Sequence, residues 1–204
     1  MNNEFKELFQ SNYGVIENTN SIDIFYMNCG IIEQEVYIKC RKSDLGWTIV
    51  KSIRGNNFEI GTFSEEEYAI CVLYIICVKN FEEIKVDSNV QRKLRKCEGE
   101  NAKVEATKVI ESECELKYFS LDKPQKNSIC MKNIKELYNV FYLSEDYNKI
   151  NIVSDVNFNR AVVVVYNFSL LLKEFNKIYE QLIKQYPTAK KHYEELFRYY
   201  LNIM

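Results

Sequence analysis

The sequence predicts an α+β fold of two small antiparallel sheet-plus-helix modules, with the C-terminal helices packed over them, and three observations carry that prediction. Short runs rich in β-branched and aromatic residues, SIDIFYMNCG, EQEVYIKCRK, WTIVKSI and NFEIGTF, crowd the first third of the chain and are separated by turn-forming clusters. The apolar run YAICVLYIICV, Tyr68 to Val78, follows them directly and is too short to span a bilayer, so it reads as a buried core helix. Strands followed by a helix then recur after residue 135. With 47% apolar and 14% aromatic residues, the 204-residue chain has the means to bury a core and is not a disordered polypeptide.

In the first module, EVYIKC and WTIVKSI should pair as a hairpin across the SDLG turn. A second turn falls at Arg54-Gly55-Asn56-Asn57, where Gly55 can adopt positive φ without steric cost, and NFEIGTF follows as the third strand. Ser64 is expected to open the helix through a capping box. Its hydroxyl would accept from the Glu67 backbone N–H while the Glu67 carboxylate reaches back to the Ser64 N–H, and losing Ser64 would cost about 1 kcal/mol. Glu65 and Glu66 suit the positive end of the helix dipole. Within the helix Tyr68, Cys71, Val72, Ile75 and Ile76 recur at helical spacing, but Ala69, Ile70, Leu73, Tyr74 and Cys77 are apolar as well. One sheet covers only one side of such a helix, so the rest of the chain or a partner must cover the other.

Residues 88 to 135 are polar and charge-rich, with breaks at CEGEN and LDKPQKNS, and are read as a helical linker between a module at 1–87 and another at 136–204. In the last segment VFYL, KINIVS and RAVVVVYN read as three strands, and Phe168-Ser169 opens a helix over LLLKEFNKIYEQLIKQY as Phe63-Ser64 opens the earlier one. That parallel raises an internal duplication. Pro187 stops this helix, and a final one carries an apolar stripe of Tyr193, Leu196, Phe197, Tyr200 and Leu201, expected to pack into the core.

Motifs for catalysis are sparse. The seven cysteines form no CxxC pair and read as reduced, mostly buried thiols, and the only histidine, His192, lies on a polar helix as a surface or half-exposed residue. No metal site, cofactor site or catalytic residue is expected. Glu65, Glu66 and Glu67 cannot converge on one ion, because consecutive helical side chains point about 100° apart. The basic run Arg92 to Lys96 reads as a solvated helix face, since acidic residues follow it and the chain carries a net charge of −2. That charge is uneven: residues 1–87 hold 8 basic against 14 acidic residues, and 88–204 hold 19 against 15. An acidic first half suits a basic protein partner better than nucleic acid. The N-terminus has no apolar stretch typical of a secretion signal, so the expected location is cytoplasmic, with no membrane association.

One stretch carries a resemblance. A strand with an early aromatic, a strand of form W-x-[IV]-x-x-S-x-R-G, a third strand ending in Phe, then [ST]-x-E-E and an early helical Ala resembles the immunity protein 59 family of bacterial polymorphic-toxin immunity proteins. The matching positions are Tyr37, Trp47, Ile49, Ser52, Arg54, Gly55, Phe63, Glu66, Glu67 and Ala69, within roughly residues 35–80. The resemblance implies a cytoplasmic monomer or weak homodimer that neutralises a cognate protein toxin by binding it, a basic nuclease being one such toxin, with no chemistry of its own. Candidate partner-binding residues in this stretch are Trp47, Arg54, Glu65 and Glu66. Two other readings remain open: a non-catalytic scaffold or homo-oligomeric interaction protein, and a cysteine-dependent enzyme or small-molecule binder.

Overall fold

Strands β1 (Tyr13–Asn18), β2 (Ser21–Asn28), β3 (Ile31–Ser43), β4 (Gly46–Ile53) and β5 (Asn56–Phe63) form an antiparallel meander in the order β1-β2-β3-β4-β5. The structure is a computed structural model that describes residues 8–9 and 13–203. The SDLG hairpin forms as the sequence predicts, with Lys42 opposite Trp47 and Ser43 opposite Gly46. Strand β1 is an addition, because YGVIEN holds too few apolar residues to stand out. Cross-strand register explains the pattern of burial. Ile22, Cys40 and Ile49 share one row and Ile24 and Ile38 the next, all on the same face.

Helix α1 (Glu66–Phe81) lies against β3, β4 and β5. Ala69, Ile70, Cys71, Val72, Leu73, Ile75, Ile76, Cys77 and Val78 are all buried, so nearly every side of the helix is enclosed. The cover on its second side comes from the chain itself. A 3-10 turn at Pro187–His192 and helix α5 (Tyr193–Leu201) pack on α1, and Leu196, Phe197, Tyr200 and Leu201 are buried. Four residues of the C-terminal stripe are therefore core, as their spacing predicts, and Tyr193 is half-buried. Among the described residues no helix is long and apolar enough to cross a membrane.

The predicted capping box is absent. The helix begins one residue later than expected, Glu65 occupies the N-cap with no side-chain cap bond, and the Glu67 carboxylate instead accepts a hydrogen bond from Thr188 Oγ1 at 2.7 Å.

The chain divides into two units, at Glu83/Ile84 and again at Lys177/Ile178. The first holds the elements above together with Ile178–Asn202. The second, Ile84–Lys177, begins with α2 (Ser88–Leu94), whose N-cap Asp87 accepts from the Asn89 N–H at 2.7 Å, and α3 (Ala102–Glu111), with the CEGEN break between them. Sheet strands β6 (Phe119–Ser120), β7 (Ser128–Ile134), β8 (Leu137–Leu143) and β9 (Lys149–Val156) follow, β6 parallel to β7 and the others antiparallel. Residues 88–135 thus belong with 136–177 rather than forming a separate linker region. The basic run stays on the solvated side: Arg92, Lys93, Arg95 and Lys96 are exposed and Leu94 is buried.

The segment RAVVVVYN, which the sequence predicts as a strand, is helical. It lies inside helix α4 (Phe158–Gln185), capped by the preceding Asn157, whose Oδ1 accepts from the Arg160 N–H at 2.9 Å. Ser169 does not open a helix either; it is buried mid-helix and donates to the Val165 carbonyl at 2.6 Å. The third strand of the meander is β7, from the segment read as linker. A three-strand antiparallel meander followed by a helix therefore occurs in both units, as β3-β4-β5-α1 and β7-β8-β9-α4.

Candidate interaction surface

The pairing of β2 with β3 is broken by a shift in register. Phe25 pairs with Tyr37, yet the next residue, Tyr26, pairs with Glu33, so Gln34, Glu35 and Val36 have no partners on β2. Such a bulge bends the strand and changes where its side chains point. Beside it lies the C-terminal end of α1, where Asn80 Nδ2 donates to the Ile76 carbonyl at 2.7 Å. Between them is an open-sided hollow of about 470 Å³, lined by Tyr26, Glu33, Glu35 and Val36 from the strands and Lys79, Asn80, Phe81, Glu82 and Glu83 from the helix end.

Its chemistry is acidic and aromatic. The Tyr26 and Phe81 rings stack at 6.1 Å between centroids and 29° between planes. Tyr13 supports this wall, with its ring 5.7 Å from Phe81 and its hydroxyl donating to Glu82 Oε1 at 2.5 Å. Burial first, and then the bond to Glu82, push the Tyr13 hydroxyl far above the usual tyrosine range, so it stays protonated as the donor. Glu33 accepts from Asn28 at 3.3 Å and Glu35 pairs with Arg54 at 3.1 Å. The one lining cation, Lys79, sits with its ammonium 5.5 Å from the Tyr200 ring, and burial lowers its pKa.

The four residues singled out from the sequence fall at two different ends of the first sheet. Arg54 is exposed in the β4–β5 turn, tied to Glu35 through its side chain and through its N–H, which donates to the Glu35 carbonyl at 2.7 Å. It therefore stands at the rim of the hollow. Trp47 is the second residue of β4, roughly 23 Å of extended chain away. It is half-buried, paired with Phe63 in the sheet, with the Lys42 ammonium 5.0 Å from its ring. Glu65, which pairs with Lys191 at 3.4 Å, and exposed Glu66 follow shortly after Phe63, at that same far end. The structure thus does not gather these residues into one site.

Sequence reasoning missed Tyr26, Glu33, Phe81, Glu82 and Glu83, which are dispersed along the chain and meet only through the bulge and the helix end. His192 is half-buried, its ring stacked on Tyr68 at 4.1 Å. Of the seven cysteines, all unpaired, Cys29 is exposed and the others are buried. Among the described residues no group of three or more His, Cys, Asp or Glu side chains is placed to hold a metal ion. Compared with protein-family models, with curated proteins and with solved structures, the chain matches none.

Proposed function

We propose that this protein acts in the cytoplasm by binding and neutralising a cognate bacterial toxin, with no chemistry of its own. The observation that carries the binding reading is the hollow at the end of α1, where four carboxylates and an aromatic wall line an open concavity with a single lysine among them. Such a surface complements a basic partner, and charge complementarity mainly raises association rate and selects against wrong partners. The choice of a toxin as partner rests on the Tyr37 to Ala69 motif and its resemblance to immunity proteins. A homo-oligomeric scaffold reading loses its best surface, because Leu196, Phe197, Tyr200 and Leu201 are buried within their own unit.

The test is co-expression with the product of the adjacent reading frame. The expected outcome is a stable complex, protection of the cell, and an association rate that falls as salt rises. A large toxin next door that neither binds nor is neutralised would overturn the reading.

A further inference from the structure

The hollow between the β2–β3 bulge and the end of α1 combines carboxylates with an aromatic wall. We infer that it is a receptor for an arginine side chain presented by a basic protein partner. This deepens the binding-protein reading and rests on it.

Several independent features favour a cation here. The hollow is lined by the last turn of α1, a sixteen-residue helix, and the carbonyl end of a helix carries partial negative charge. Glu83 has no hydrogen bond or ion pair among the described residues and remains available to an incoming donor. Tyr26 and Phe81 are only half-buried, so their stacked rings keep surface open to the cavity. At about 470 Å³, the space is ample for a long side chain.

Other features favour an organic cation over an inorganic one. The carboxylates are not close enough together to form a metal site. They share the lining with the Tyr26–Phe81 stack, and a flat guanidinium can stack on an aromatic face while its edge donates to carboxylates. An ammonium is a compact, strongly hydrated charge and uses such a wall less well. The fold already shows the pairing at the rim, where Arg54 donates to Glu35 at 3.1 Å.

The experiment uses the full chain and a fluorescein-labelled hexa-arginine peptide, titrated by fluorescence anisotropy at physiological salt, with hexa-lysine for comparison. Paired changes Glu33→Gln and Glu83→Gln remove two charges from the hollow. The pair Glu98→Gln and Glu100→Gln removes the same charge from exposed positions in the other unit. Because all four side chains are exposed and glutamine keeps their shape, the variants should fold, which superimposable melting curves verify. The hollow pair is expected to weaken hexa-arginine about tenfold and the control pair less than about twofold, with hexa-lysine severalfold weaker throughout. Equal losses in both pairs, no binding at all, or no preference for arginine would overturn the inference. No toxin enters this experiment, so its failure is separate from failure of the co-expression test.

Discussion

The Tyr68 hydroxyl donates to Glu195 Oε2 at 2.7 Å, joining the first turn of α1 to the first turn of α5 across 127 positions of sequence. The same oxygen accepts from His192 Nδ1 at 2.9 Å, and Thr188 and Lys191 reach Glu67 and Glu65 nearby. Three glutamates thus hold the C-terminal segment over the apolar helix. The Tyr68 hydroxyl, and after it His192, keep the Glu195 carboxyl below its ordinary pKa of 4.5. A lowered folded value means that its stabilisation is complete above about pH 4.5 and is lost as pH falls through the folded value. Because the Glu195 side chain is 59% exposed, solvent screens both bonds, and Glu195→Gln should lower unfolding free energy by only about 0.5 kcal/mol at pH 7, with the difference shrinking as pH falls below 4. Urea unfolding at both pH values measures it, and identical midpoints at pH 7 would show that the tie contributes nothing.

Thiol chemistry gives an independent check on the core. Burial pushes the Cys40 and Cys71 thiols up to about 12 and Cys114 up to about 11, and raises Cys77 as well. A thiol raised that far is almost wholly protonated at pH 8 and is also shielded from reagent. Ellman's reagent should therefore find one fast thiol per folded chain, Cys29, and the remaining six only after denaturation. Cys29→Ser should remove the fast phase. A second fast thiol in the folded protein would restore cysteine chemistry as a candidate function.

The first meander was legible because its signals are local: the SDLG and Arg54-Gly55 turns, and alternation in β2 to β4. RAVVVVYN misled because four successive valines favour a strand, whereas tertiary packing favours a helix there. The helical period was nevertheless present. Val162, Val165, Tyr166, Ser169, Leu172 and Phe175 are all buried and run at three- and four-residue spacing along α4, with Asn157 as a visible cap. Strand β7 escaped notice because its turn into β8 uses Lys135 and Glu136 at φ 57° and 40°, with neither Gly nor Asn to mark it. The hollow was not readable at all, since its acidic and aromatic residues become neighbours only through an unpredicted bulge.

Ser64 supplies the sharpest contrast between local expectation and structure. A capping role would make Ser64→Ala cost about 1 kcal/mol. Exposed and without a cap bond, Ser64 should instead tolerate alanine within about 0.5 kcal/mol. The sensitivity moves to Thr188, whose hydroxyl holds Glu67 at 2.7 Å, so Thr188→Val should cost about 1 kcal/mol. Chemical denaturation of the two variants side by side decides between a cap and a strap.

The Arg54-Gly55 turn sets backbone strain against an ion pair. Ile53 pairs with Asn56, so two residues close the β4–β5 hairpin, and both have positive φ, 50° and 83°. That is the geometry of a type I′ turn, which favours Asn-Gly and penalises a long side chain at its first position. Arg54 is held there by Glu35, but the two side chains are 74% and 75% exposed, where an ion pair contributes little. Arg54→Asn should therefore raise stability by about 0.5 kcal/mol and keep the backbone bond to the Glu35 carbonyl. Gly55→Ala should lower it by about 1 kcal/mol from φ alone, since a Cβ there meets nothing within 4 Å. Raising the salt concentration screens the Glu35 pair and should widen the advantage of Arg54→Asn. A loss of stability in that variant at both salt concentrations would show that Arg54 is anchored by more than the exposed pair.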